Sequence, residues 1–197
     1  MRFGILVFDE VEVLDAFGPF EVLSVAKRLH AHRVEGEPIA ICLVSAYPDR
    51  SQVVARGGLR FTADATIADA PEFDVLIVPG GVTTAVENDP ATIAWISERA
   101  STPVIASVCT GAFLLAAAEI LIDQTVTTHW EDQAGLAARY PRLTVVDGPR
   151  WVRAQNIYTS AGISAGLDLA LHLVGLIAPD LPARVAKQMD YEWRGVP

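Results

Sequence analysis

Short, almost uninterrupted apolar runs alternate with helix-length segments along this chain. That alternation limits its fold more than any other feature. Phe3-Gly4-Ile5-Leu6-Val7-Phe8, Pro38–Ala46, Phe73–Val78 and Pro103–Val108 are too apolar to leave one face in water. A strand of that kind has to be covered on both faces, and parallel sheets achieve this with helices on either side. The expectation is an α/β layered fold around a mostly parallel sheet.

The segments between the runs support this. Glu12–Leu29 has helical spacing, with Gly18-Pro19 interrupting its start. Residues 52–62 read as an extended arm or hairpin turning at Gly57-Gly58. Pro90–Ala100 is a helix with Asp89 as N-cap and Pro90 at its first position. A small apolar helix follows Gly111. A short strand at 125–127, a polar helix near 130–139 and strands near 143–146, 150–153 and 156–159 come next. Helices near 163–178 and 180–193 close the chain. No internal repeat or linker rich in Pro, Gly or Ser interrupts the pattern, so 1–197 is expected to be a single domain.

With 51% hydrophobic and 20% charged residues the chain can build a large core. The net charge of −9 argues against nucleic acid or an anionic membrane as partner, since both require clustered Lys and Arg. A small-molecule substrate is untouched by that argument. The N-terminus lacks the basic region and cleavage site of a secretory signal. No segment reaches the ~18 apolar residues of a membrane span. Two cysteines, Cys42 and Cys109, are too few for a disulfide framework, which points to a reducing, cytoplasmic setting.

The densest chemical signal is PVIASVCTGAFLLAAAEIL. A buried strand ends at Cys109 and a helix begins at once, lifting the thiol out of the sheet. Helix N-terminal N–H groups favour a thiolate and offer donors to a developing anion. Gly111 and Ala112 leave room beside the sulfur. A small buried cysteine with no reactive role fits the same position equally well. Pro79-Gly80-Gly81 ends another strand, and the carboxyl ends of strands are where sites of parallel sheets gather. Gly80 and Gly81 could supply backbone donors there, or simply form a strand-exit turn. Asp9, Glu10, Glu12 and Asp15 cluster at the exit of the first strand. Most acids so placed are solvated caps. Asp15 stands apart because Leu14, Ala16 and Phe17 flank it, a setting that raises a carboxyl pKa and suits acid–base work.

Gly162-Ile163-Ser164-Ala165-Gly166 matches a serine nucleophile elbow. The only histidine after it, His172, lies eight residues on in the same helix, more than two turns from the helix start at about 1.5 Å per residue. Close helix–sheet packing explains the small residues better. His129 could serve Cys109 as base or be an ordinary hydrogen-bonded residue at a helix start. His30 and His32 read as surface residues without partner ligands, so no metal is expected. Cys42 reads as core, and Trp95, Trp151 and Trp193 carry no motif.

Taken in order, ILVFDEVEVLDAFGPFEVL, FDVLIVPGG, VIASVCTGAFLLAAAEIL, TVTTHW and NIYTSAGISAGLDLALHLV resemble the DJ-1/PfpI superfamily, which has the class I glutamine amidotransferase-like fold. The resemblance implies a three-layer α/β/α sandwich, flavodoxin-like, with Cys109 as nucleophile on an elbow. It is nearest to isonitrile hydratases and to the amidotransferase-like domain of AraC-type regulators. Cys109-Thr110 and Leu14-Asp15-Ala16-Phe17-Gly18-Pro19 match the hydratase pattern of nucleophile, adjacent threonine and facing acid. The regulators add a helix-turn-helix portion, for which a chain ending at Pro197 leaves no room. Met189-Asp190-Tyr191-Glu192-Trp193-Arg194 stands where hydratase-like members often carry a Glu-Tyr-Asp-Pro segment. The resemblance implies Cys109, Asp15 and Thr110 as catalytic residues, with Gly80, Gly81, Gly111 and His129 about the substrate. It also implies a homodimer, no cofactor, and hydration of an isocyanide to an N-substituted formamide. Glyoxalase, deglycase or amidase chemistry at the same thiol, redox sensing, and simple ligand binding are the alternatives.

Overall fold

The structure is a computed structural model that describes residues 1–31 and 38–193. β1 (Arg2–Val7) leads into α1 (Val13–His30), and β2 (Ala40–Ser45) follows. β3 (Gln52–Val54) and β4 (Arg60–Thr62) form an antiparallel hairpin, with Gly57 and Gly58 at φ 78° and 87° in its turn. Then come β5 (Ala65–Thr66), β6 (Val75–Val78), α2 (Thr84–Glu87), α3 (Pro90–Glu98), β7 (Val104–Val108) and α4 (Gly111–Ala117). The last part holds β8 (Thr125–Val126), α5 (Gln133–Arg139), β9 (Thr144–Val145), β10 (Trp151–Ala154), β11 (Ile157–Ser160), α6 (Ala165–Val174) and α7 (Leu181–Gln188).

The main sheet runs β10-β11-β7-β6-β1-β2-β5. Every pairing in it is parallel except β10 with β11. One group of helices, α1, α6 and α7, packs together, and α2, α3 and α4 form a second group. The architecture is the expected α/β/α sandwich, and β1, β6 and β7 are buried almost throughout. Their carboxyl ends, with that of β11, open on one edge of the sheet. Among the described residues no helix is long and apolar enough to cross a membrane.

Several local expectations need correction. α1 is not interrupted at Gly18-Pro19 but runs through it. Pro19 cannot donate to the carbonyl four residues back. The helix tolerates that loss because its buried face is clamped against α6, where Gly18 admits Leu167. α6 and α7 are shorter than the apolar pattern suggested. His30 is not a surface residue: it is 8% exposed on the buried face of α1. His32 lies outside the described residues, as does Arg194. Asp89 caps α3 as expected, accepting from the N–H groups of Ala91 and Thr92.

Candidate active site

Cys109 is the first residue beyond β7, and its backbone is in the left-handed region at φ 56°. Four hydrogen bonds pin it there. Its N–H donates to the carbonyls of Ser160 (3.1 Å) and Ala161 (3.3 Å). Its own carbonyl accepts from Thr128 Oγ1 at 2.7 Å and from the Ala112 N–H at 3.3 Å. A non-glycine residue held in this conformation by its surroundings is a common mark of a functional turn. The side chain is 7% exposed and lines a cleft of roughly 230 Å³ with Thr110, His129, Asp132 and Ile163.

Asp15 enters from the first turn of α1 and is fully buried. Its Oδ2 accepts from the Gly80 N–H at 3.2 Å, and its Oδ1 from the Ile163 N–H at 3.1 Å. The Cys109 thiol lies beside the same carboxyl, and each shifts the other's titration. Burial pushes Asp15 up to about 7, and the nearby Glu12 charge adds to this, against the bonds from Gly80, Cys109 and Ile163. Burial, followed by the Asp15 charge, pushes Cys109 up to about 12. The Thr110 N–H opposes that shift by donating to the sulfur. Burial and the facing carboxyl thus oppose the thiolate that a helix start favours. One N–H at the start of a seven-residue helix is outweighed by burial and a facing carboxyl.

The Gly-Gly turn does something other than expected. Gly80 spends its N–H on Asp15. Gly81 donates to Thr110 Oγ1 at 2.9 Å, and the Thr110 hydroxyl donates back to the Gly81 carbonyl at 2.9 Å. Both N–H groups thus have protein partners and are not free oxyanion donors. They hold the carboxyl and the threonine in place. Only glycine fits at these points. A Cβ on Gly80 would stand 2.5 Å from Thr110 N, and Gly81 has φ 135°. A Cβ on Gly111 would collide with the Val78 carbonyl where α4 starts against β6.

His129 lies on the far wall of the cleft. Its Nδ1 is 3.5 Å from Asp132 and 3.8 Å from Glu131. Gly162 packs so tightly under the imidazole that a Cβ there would strike it. Cys109 Sγ, a ring nitrogen of His129 and a carboxylate oxygen of Asp132 all lie within 4.8 Å of one another.

The other acids of the first loop are not at the sulfur. Asp9 pairs with Arg50 at 2.7 Å and accepts from the Val54 N–H, and Glu12 faces Arg56 at 3.4 Å. Ser164 is exposed and accepts from Arg150 at 3.2 Å. Cys42 is half-buried on β2. Sequence reasoning missed Thr128, Asp132 and Ile163. Asp132 stands three residues after His129, a spacing that puts both on one side of a turn, and that signal was available.

The family model described as "DJ-1/PfpI family" matches residues 1–176. The chain is 33% identical to an isonitrile hydratase of Pseudomonas putida over 194 residues, 97% of this chain and 78% of that protein. It is 28% identical to the HTH-type transcriptional regulator GbdR of Pseudomonas aeruginosa over 193 residues, 96% of this chain but 50% of the regulator. A crystal structure of a ThiJ/PfpI family protein from Pseudomonas syringae superposes with a TM-score of 0.82 at 27% identity, covering 97% of this chain and 75% of that one.

Proposed function

The chain belongs to the DJ-1/PfpI family, and from that premise we propose that it hydrates a small isocyanide to an N-substituted formamide with Cys109 as nucleophile and Asp15 as proton carrier. The observation behind this reading is the placing of that thiol beside a buried carboxyl fixed by the Gly80 and Ile163 N–H groups. An isocyanide carbon is attacked by sulfur and must receive a proton. A carboxyl poised near neutrality can take the thiol proton and pass it on. The S–C bond forms, the thiol proton moves through Asp15 to the former isocyanide carbon, and a thioimidate results. Asp15, again a carboxylate, draws a proton from water as its oxygen adds to that carbon. The proton on Asp15 passes to the substrate nitrogen, the C–S bond breaks as the hydroxyl proton is transferred to sulfur, and the formamide leaves. No cofactor enters the balance.

In this scheme Gly80 and Ile163 hold the carboxyl, and Gly81 fixes Thr110, whose N–H reaches the sulfur. Gly111 lets α4 begin close behind. His129 lines the cleft beside Cys109. The rim sets Glu12, Glu131 and Asp132 against Arg56, which pairs with Glu12, and the net negative charge suits a neutral substrate better than an anionic one. A redox-sensing role draws less support, because oxidation follows thiolate character and exposure, and both are suppressed here. Glyoxalase or amidase chemistry would use the same pair. A cytoplasmic homodimer belongs to this reading. Ile163 on the cleft wall and Leu14 beside Asp15 are apolar and exposed, as a subunit contact would have them.

Disappearance of a set of alkyl and aryl isocyanides, followed by liquid chromatography, tests the proposal. Formamide should accumulate with the wild type and not with Cys109→Ala. Equal, background rates for both proteins across the set would sink it. Lactate from methylglyoxal in that event would move the assignment to the glyoxalase alternative.

A further inference from the structure

The cleft carries a donor set of which proton transfer between Asp15 and Cys109 uses only the sulfur. We propose that Cys109, His129 and Asp132 bind a divalent zinc ion that caps the nucleophile. This is the one cluster of its kind among the described residues. Thiolate, imidazole and carboxylate together form the mixed soft and hard donor set that suits zinc rather than magnesium or calcium. Bond lengths of ~2.0–2.3 Å with tetrahedral angles place ligand atoms about 3.3–3.8 Å apart. His129 Nδ1 and Asp132 already stand at 3.5 Å, and no pair of the three exceeds 4.8 Å. Closure therefore needs side-chain shifts of less than about 1 Å, within the reach of a χ adjustment.

The frame is fixed where it should be. Cys109 is pinned by its four backbone bonds, and the His129 ring rests on Gly162. Glu131, 3.8 Å from His129, lowers the cost of bringing a dication in, and the open cleft leaves a fourth position for water. On binding, an S–Zn bond forms and the thiol proton leaves to solvent. The metal then draws on the sulfur's electron density and fills the cleft in front of it, so zinc would slow the reaction that Cys109 performs. The proposal stands independently of the isocyanide assignment.

The test uses full-length protein stripped with a chelator and titrated with Co²⁺, then Zn²⁺. One Co²⁺ per chain should bind with a sulfur-to-cobalt charge-transfer band in the near ultraviolet, and Zn²⁺ should displace it. Cys109→Ser should remove the band, and Cys42→Ala should keep it. His129→Ala and Asp132→Asn should each weaken binding about 10- to 100-fold or more, as loss of a supporting or direct ligand does, while Glu131→Gln should change it less than about threefold. Zinc should also protect Cys109 from iodoacetamide, read by mass spectrometry, and circular dichroism confirms that each variant is folded. Absence of the band, a band that follows Cys42, or unchanged affinity in both His129→Ala and Asp132→Asn overturns the proposal. Because the readout is spectroscopic, a protein that binds zinc but ignores isocyanides fails only the functional reading.

Discussion

The Ile163 N–H donates to Oδ1 of Asp15 at 3.1 Å from a backbone held at φ 56°. A β-branched residue avoids that region, and strain of about 1–3 kcal/mol is expected when one is forced there. The turn endures it because it aims an N–H at a buried carboxyl. Ile163→Gly removes the strain and keeps the N–H. Against this stand about 0.5–1 kcal/mol of added chain entropy and the packing of a side chain already 40% exposed. The net change should lie within about 1 kcal/mol of zero, where an ordinary buried Ile truncation costs about 2–5 kcal/mol. Denaturant unfolding measures it, and activity should stay within severalfold. A loss above ~3 kcal/mol would mean packing, not strain, dominates at this residue.

Gly80 and Gly81 are adjacent, yet their alanine variants should fail differently. At Gly80 the new Cβ would meet Thr110 N and Oγ1 at 2.5 Å and Asp15 Oδ2 at 3.0 Å, all groups of the site. Overpacking of this kind costs about 1–3 kcal/mol, and the displaced carboxyl should cost about 10²-fold or more in kcat. At Gly81 the Cβ meets the backbone of Glu10 and Glu12 at a φ of 135°, so nothing flexible can yield. Gly81→Ala should lose more stability than Gly80→Ala, by thermal unfolding. A Gly80→Ala protein with full turnover would show that Asp15 tolerates displacement.

The reach of the sequence ended where backbone direction took over. Cys109 and Asp15 were legible because a reactive side chain sat at a strand exit or an acid sat among apolar neighbours. Ile163 was not, because its contribution is an N–H whose aim depends on a turn conformation that periodicity does not encode. The electrostatic balance at the thiol was not legible for a related reason. A helix start is visible in VCTGAF, but the burial that outweighs it is tertiary. β5 and α2, of two and four residues, are too short to show a period. Asp9, read as a solvated cap, meets Arg50 from beyond β2, a contact that only the folded chain reveals.

Asp168 is an acid inside the largely apolar α6, and it anchors the segment that follows α7. It is 3% exposed, pairs with Arg150, and accepts from the Tyr191 hydroxyl at 3.2 Å. Tyr191 lies in the segment that departs from the hydratase-like ending, so this contact ties that segment to α6. Tyr191→Phe should cost about 1.5 kcal/mol, the low end for loss of a hydrogen bond to a charged group because Tyr191 is only partly buried. Asp168→Ala should cost more, about 2–4 kcal/mol, because it strands a partly buried guanidinium. Urea melts of both variants and of the double variant test this. Additive losses would show that the two side chains do not act as one network.

The elevated Asp15 pKa makes the site a stability liability whose sign can be checked. The unfolded carboxyl titrates at its ordinary 3.8 and the folded one near 7. Between those values the folded state holds a proton that the unfolded state has released, so stability falls as pH rises. The contribution is fully present below 3.8 and is lost by the time pH passes about 7. A slope of about 1.4 kcal/mol per pH unit over that window gives an upper bound of about 4 kcal/mol. Asp15→Asn does not titrate. Its hydrogen bonds to Gly80 and Ile163 shift the absolute stability but not this slope. The variant should therefore gain on the wild type by several kcal/mol between pH 4 and pH 8, measured by denaturant unfolding with a chelator present, while losing about 10²–10⁴-fold in turnover. A difference between the two proteins that stays flat across the range would mean that Asp15 is ionised in the folded state throughout, and the proton carrier would have to be sought elsewhere in the cleft.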